Sequence, residues 1–366
     1  MKTLVNPRMK HRKVFGLSKK KRVLLLALGL SLYSGSALAA GEDDFKTAEY
    51  NFSNGLDVIN AAAAYSKGYS GKGVALGVCD LPMNFAHPEF TSKNFARMIR
   101  DSWMLGGEPG VYDWSTVNHG THVAGIVGAS KDNVGMHGVA YNADLVGAPS
   151  GYDIVGNSFT DFADVFAPYY DRDDIKVINN SWGDDRYIEH SFNKNVEHIL
   201  KDAQNLNDFI VQFEDFLSST EQELSYGLRT MGDAAEHGKL LIFSAANAGH
   251  HTPSYEAFTG WSYDTAQTNL INVTALNNNF TINDKTFSKG MVRRSDGTIN
   301  GDWLMAVFSD GAKYAEEYTL TAPGFFIMST NSNFAATGEN YIAESGTSMA
   351  APYVTGVAGL VQEAFP

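Results

Sequence analysis

The run Gly346-Thr347-Ser348-Met349-Ala350-Ala351-Pro352 puts a serine where a loop turns into an apolar helix, for Val354, Val357, Ala358, Leu360 and Val361 follow it. A glycine at the junction permits a tight turn. A helix start also presents unpaired backbone N–H groups and the positive end of the helix dipole. Such a place suits a nucleophile whose substrate develops an oxyanion. An ordinary N-capping serine satisfies the same pattern, so the reading rests on two further segments.

The second is Asn118-His119-Gly120-Thr121-His122-Val123-Ala124-Gly125-Ile126-Val127-Gly128, a histidine at the mouth of a small-residue helix. The third is Gly73-Val74-Ala75-Leu76-Gly77-Val78-Cys79-Asp80, a buried-strand pattern that ends in a carboxylate. The carboxyl end of a central strand is where open α/β sheets place function. Alone, each segment also has a purely structural reading, and a lone histidine is more often packing than chemistry. Together they set Asp80, His119 and Ser348 in the chain order Asp, His, Ser that marks subtilisin.

From about residue 56 to its last residue the chain resembles the subtilisin-like serine proteases. Val177-Ile178-Asn179-Asn180-Ser181-Trp182-Gly183 is similar to the family's substrate-binding strand. Leu240-Leu241-Ile242-Phe243-Ser244-Ala245-Ala246-Asn247-Ala248-Gly249 is similar to the strand ending in its oxyanion-hole asparagine. Phe308-Ser309-Asp310-Gly311 and Thr321-Ala322-Pro323-Gly324 resemble landmarks before the serine. The resemblance implies an α/β fold, a subtilisin-like parallel sheet with helices on both faces. It implies Ser348 as nucleophile, His119 as general base and Asp80 as the group that orients the imidazole. Asn247 and the Ser348 N–H would form the oxyanion hole. An extended peptide would lie between Ser181-Trp182-Gly183 and Gly156-Asn157-Ser158, with Ala245 and Ala246 walling the primary specificity pocket.

The chain departs from the family pattern in three places. Leu81-Pro82 stand where a Ser or Thr and a Gly usually follow the acid, so a hydroxyl that would help hold the carboxylate is missing. Ala246 replaces the glycine before the oxyanion asparagine and adds a methyl to the pocket wall. Trp182 is bulkier than the usual aliphatic residue and is expected to crowd the substrate strand.

The first 22 residues carry nine Lys and Arg and no acid; Val23-Leu24-Leu25-Leu26-Ala27-Leu28-Gly29-Leu30 and Ser36-Ala37-Leu38-Ala39-Ala40 follow. A basic stretch, a short apolar stretch and an Ala-x-Ala site read as a signal peptide over residues 1–39, cut after Ala39 or Ala40. About ten apolar residues are too few to span a bilayer. The whole chain has 28 basic and 41 acidic residues, a net charge of −13, and loss of the leader deepens it to −22. That surface repels nucleic acid and anionic lipid. Calcium would be attracted by it, but no Asp-x-Asp-x-Asp-Gly loop appears and calcium is assigned to no residue; no other cofactor and no metal ligand is expected. The single Cys79 excludes an intramolecular disulfide and reads as a small core residue. His122 reads as packing, His87 as a structural loop residue, and the adjacent His250-His251 carry no metal assignment.

Polar residues 40–55 read as a loose N-terminal arm, followed by a peptidase domain over 56–366 that opens with a short helix over Leu56–Tyr65. Strands are expected at Ala143–Ala148, Lys176–Asn180, Leu240–Ala245 and Leu270–Leu276, and a helix over Phe159–Tyr170; alternation of this kind implies a parallel sheet. A helical insert occupies about 184–238 and a loop or hairpin insert about 277–305. The stretch Ile59–Val74 resembles the entry of autotransporter-type subtilases, which implies export from a Gram-negative-type cell to the surface, medium or periplasm. Read that way, the C-terminus is truncated and an outer-membrane translocator is a partner absent from this chain. The function expected is an exported serine endopeptidase acting on protein or peptide substrates through an acyl-enzyme. The alternative is an inactive subtilase-fold passenger or binding scaffold, which would ordinarily have lost one of the residues kept here.

Overall fold

The computed structural model describes residues 40–94, 96–98, 113–115, 117–149, 152–153, 158–159, 166, 169–170, 172–183, 211–212, 234–254, 256, 266–277, 280–282, 285–287, 305–313 and 315–366. The expected leader, Gly156, Asn157 and most of the insert at 184–238 lie outside the described residues.

The strands are β1 (Ala75–Asp80), β2 (Ala96–Met98), β3 (Asp144–Pro149), β4 (Tyr152–Asp153), β5 (Ser158–Phe159), β6 (Ile175–Asn180) and β7 (Leu240–Ser244). They continue with β8 (Leu270–Leu276), β9 (Phe280–Ile282), β10 (Lys285–Phe287), β11 (Thr319–Pro323), β12 (Ile327–Thr330) and β13 (Tyr341–Glu344). Seven form one sheet in the order β11-β8-β7-β6-β1-β3-β2, and every neighbouring pair is parallel. All six residues of β1 are buried, as a strand covered on both faces requires. Leu76 meets Gly359 of the C-terminal helix, while the next residue, Gly77, meets Tyr169, whose hydroxyl donates to the Val78 carbonyl. Successive strand residues face opposite ways, so helical residues cover both faces of the sheet.

Two helices position the site. The histidine helix spans His119–Gly128 and the serine helix Thr347–Ala364. They pack on each other, and the serine helix also lies across β6, β7, β8 and β11. Val123, Ile126 and Val127 are buried in this layer, each contributing about 1.5–3 kcal/mol by leaving water. Close approach needs glycine at Gly125, where a Cβ would overlap the hydroxyl oxygens of Ser329 and Thr330.

Several expectations change. The N-terminal arm is not loose. Glu42–Phe45 forms a 3-10 turn and Ala48–Phe52 a helix capped by Thr47, whose side chain accepts from the Tyr50 N–H. Tyr50 is buried against Tyr65 and His137, and Ser53 donates to the His137 carbonyl. An aromatic side chain in a polar stretch had a pocket waiting some ninety residues away. The helix expected over Leu56–Tyr65 is confined to Ala61–Tyr65, because Asn60 takes a left-handed φ of 55° just before it. Phe159 belongs not to a helix but to β5, paired with Tyr152; Phe166, Tyr169 and Tyr170 are helical. Within the second insert β9 and β10 pair antiparallel, as a hairpin. Cys79 is fully buried, and burial pushes its thiol well above the usual range.

Candidate active site

Asp80, Ser181 and Asn247 lie at or just beyond the carboxyl ends of β1, β6 and β7, three adjacent strands. Asp80 is buried. Its Oδ1 accepts from its neighbour's backbone, Leu81 N–H, at 2.7 Å and stands 2.7 Å from His119 Nδ1. Its Oδ2 is buried without a partner, at the residue after which the sequence lacks the hydroxyl that would help hold it. The carboxylate is held from one side only, through Oδ1. Gly120 closes the arrangement: a Cβ there would overlap the Leu81 carbonyl oxygen, so only glycine lets the helix mouth come down on the strand end.

His119 keeps 31% of its side chain exposed. Partial burial works against its charge, but the Asp80 charge, the Asp80 hydrogen bond and the charge of Glu344 outweigh that and push the imidazolium up to about 9. His122, one turn on, behaves oppositely. It is fully buried, burial lowers its pKa, and its Nε2 lies 3.1 Å from the carbonyls of Ile327 and Ile342. It packs, as the sequence suggested. His87 is structural too: its Nδ1 accepts from the Glu89 N–H and its Nε2 lies 2.8 Å from the Asn340 carbonyl.

Ser348 is the second residue of the serine helix, after Thr347. The helix contains Pro352, which has no N–H to offer the carbonyl four residues before it. That carbonyl belongs to Ser348, and Ser181 Oγ donates to it at 2.7 Å. In return Ser348 Oγ donates to the Ser181 carbonyl at 3.0 Å. Asn179 Nδ2 donates to Ser181 Oγ, and Thr355 Oγ1 donates to Asn179 Oδ1. The proline that interrupts the helix ladder thereby locks the serine to the strand expected to bind substrate.

Asn247 is exposed on the turn after β7. Its Oδ1 accepts from Thr347 N–H at 2.8 Å and from Thr347 Oγ1 at 3.1 Å. With the carbonyl end committed, the amide Nδ2 is left free to donate beside the start of the serine helix. Ala246 is buried with a φ of 88°, a conformation glycine adopts freely and alanine does not. Asp310 N–H donates to the Ala246 carbonyl, and Asp310 Oδ1 takes the N–H groups of Ala248 and His250. Ala245 is buried, its N–H donating to the Val273 carbonyl. Trp182 turns its ring toward Phe243 and Phe166, with centroids 5.4 and 6.4 Å apart; much of the bulk expected to crowd the substrate strand goes into this packing. Gly183 lies near Glu256. Ser158 is in β5.

The structure therefore brings Asp80 to His119, and Ser348 to Ser181, Thr347 and Asn247. Sequence reasoning missed Thr347, which donates to the Asn247 carbonyl oxygen, and Glu344, which accepts from Asn118 beside the histidine. Thr347 stood in the serine run, and its hydroxyl was the available signal; nothing local marked Glu344. Among the described residues no group of three or more His, Cys, Asp or Glu is placed to hold a metal ion. No helix there is long and apolar enough to cross a membrane.

Comparison with known proteins bears on the family and the fold. The profile described as the subtilase family matches residues 71–366. An extracellular serine protease of Serratia marcescens is 29% identical over 94% of this chain and 33% of its own length. The chain thus spans about a third of that relative. Subtilisin BL of Lederbergia lenta is 24% identical over 85% of this chain and 84% of its own. In fold, the chain resembles the prenylagaramide maturation protease PagA, with a TM-score of 0.51 and 17% identity over 83% of this chain and 79% of that one. With the subtilase family profile matching residues 71–366, most of its length, the chain belongs to the subtilase family.

Proposed function

We propose that this chain is an exported serine endopeptidase working through Asp80, His119 and Ser348. The observation that carries the reading is the 2.7 Å contact of a buried Asp80 with His119 Nδ1, on a site where Ser348 begins a helix beside an anchored Asn247.

A serine hydroxyl is a poor nucleophile until a base takes its proton. Asp80 on Nδ1 leaves Nε2 of His119 as the basic nitrogen. In this reaction Ser348 Oγ leaves its hydrogen bond to the Ser181 carbonyl and turns to His119 Nε2 as its proton acceptor. Oγ attacks the peptide carbonyl as its proton passes to His119, and Asn247 Nδ2 and the Ser348 N–H take the resulting oxyanion. Collapse breaks the C–N bond, His119 returns the proton to the leaving amine, and water repeats the sequence on the acyl-enzyme. Asp80 stabilises the imidazolium throughout. Substrate lies extended along Ser181-Trp182-Gly183, with Gly156-Asn157-Ser158 on its other side, as an added strand. Ala246 narrows the pocket for the residue before the scissile bond, favouring small and medium apolar side chains.

The leader over residues 1–39 and the word "extracellular" in the name of the Serratia relative support export. The finer reading is delivery to the surface, medium or periplasm of a Gram-negative-type cell with an outer-membrane translocator as partner, which cell fractionation tests. The decisive experiment for the chemistry is Ser348→Ala with fluorophosphonate labelling. Wild type should label and cleave casein. The variant should do neither, with activity down at least about 10³-fold and thermal unfolding nearly unchanged. Cleavage surviving in Ser348→Ala would refute the nucleophile.

A further inference from the structure

Glu344 ends β13, whose antiparallel partner β12 places Ile327 opposite it. The two strands form a hairpin fastened to the histidine helix. Ser329 Oγ donates to the His122 carbonyl and Thr330 Oγ1 to the Thr121 carbonyl, both at 2.7 Å. His122 Nε2 faces carbonyls of both strands. Asn118, immediately before His119, completes the fastening. Its Nδ2 donates to Glu344 Oε1 at 2.5 Å and its Oδ1 accepts from the Ser332 N–H at 2.7 Å. A half-buried carboxylate is therefore tied to the residue next to the base.

We propose that Glu344 is a positioning residue for His119, a second carboxylate that is locked onto Asn118 and supports the imidazolium as Ser348 loses its proton. The inference rests on His119 being the general base. Among the described residues, the charged and titratable groups that act on His119 are Asp80 from β1, Glu344 from β13 and His122 from its own helix. Asp80 acts by direct contact. His122 is kept neutral by burial and does not share the charge. Glu344 acts through space, where partial exposure tempers the attraction without abolishing it.

The transition state carries a protonated His119, and so does the free enzyme at low pH. A nearby carboxylate therefore helps the reaction only where the free enzyme has lost that proton. Glu344→Gln keeps an acceptor for Asn118 and removes the charge. The rising limb of kcat/KM against pH, measured on a peptide substrate, should move down by about half a unit to one unit. The alkaline plateau should fall by the same roughly three- to tenfold factor, and below the limb the two curves should coincide. Glu344→Asp, which keeps the charge, should retain most of the wild-type limb. A uniform loss at every pH with the limb unmoved would show that Glu344 only holds the hairpin, and an unchanged profile would also refute the proposal. Should Glu344→Gln fail to fold, the wild-type profile in about 1 M salt serves, since screening at about 3 Å weakens Glu344 more than the contacting Asp80. There too the limb must move down, and a limb that stays overturns the inference. An unmoved limb in an active variant sinks only the role of Glu344, whereas cleavage by Ser348→Ala sinks the triad itself.

Discussion

Asp80 and His119 are built on a fully buried strand end and a helix mouth that tolerates only glycine at its second residue, whereas Ala246 and Asn247 lie on a turn whose working amide stays exposed. The Asp80–His119 half is held by packing and hydrogen bonds: Leu81 N–H on Asp80 Oδ1, Gly120 against the Leu81 carbonyl, and Glu344 on Asn118 next to the histidine. The oxyanion half is held by three hydrogen bonds from the Asp310 backbone and carboxylate and by Thr347. One of its residues is left in a conformation that costs about 1–3 kcal/mol. On the proposed mechanism, the standing charge of Asp80 is buried, whereas the passing charge of the oxyanion would meet a donor aimed in advance from outside.

The contrast breaks most visibly at Asp80. Asp80→Asn should cut kcat by about 10⁴ while leaving the site's shape intact, because the imidazole then loses the anion that fixes its tautomer. Turnover within tenfold of wild type would mean that Asp80 only packs. On the other half, Asn247→Leu should lower turnover about 10²–10³-fold with a much smaller change in KM, since the amide works on the oxyanion. If KM rises and turnover holds, Asn247 binds substrate and nothing more.

Two smaller effects sharpen the comparison through stability. Gly120→Ala, made in Ser348→Ala to avoid self-cleavage, should destabilise by about 1–3 kcal/mol as the new methyl pushes the helix off the Leu81 carbonyl. An unshifted melting curve would show that the half is softer than its geometry. Ala246→Gly has the opposite sense. Relief of the left-handed alanine is largely offset by the added freedom of the unfolded chain, leaving a net gain under about 1 kcal/mol. In the same variant the preference for Ala over Phe before the scissile bond should relax by about tenfold at most. A peptide library reads both proteins, and an unchanged ranking would place the methyl outside the pocket.

Histidine titration also enters stability. The folded pKa of His119 is raised from 6.5 to about 9, so its contribution is fully present below pH 6.5 and fades as pH climbs through 9.

Much of this was readable in the chain. Leu270–Leu276 forms a strand over the residues its apolar run marked, and β1 ends on Asp80 as its pattern required. Buried parallel strands write themselves as short apolar runs. Cys79 reads as core from its apolar neighbours and His122 as packing from its place one turn after His119, and both are buried. The N-terminal arm is ordered against expectation because the polar run over residues 40–55 hides Tyr50, whose pocket is made by Tyr65 and His137. Trp182 was read from size alone, and size says nothing about which way a ring turns.

The motifs, taken together and through the family they resemble, marked Asp80, His119, Asn247 and Ser348 as the groups to watch. Tertiary structure alone decided how they are held. The Ser181 hydroxyl that replaces the donor missing at Pro352 is 167 positions from the Ser348 carbonyl it caps, and Glu344 is 226 positions from the asparagine that fixes it. Periodicity and turn preference act over a few neighbouring residues, whereas a hydrogen bond between distant segments exists only once the sheet has stacked them side by side.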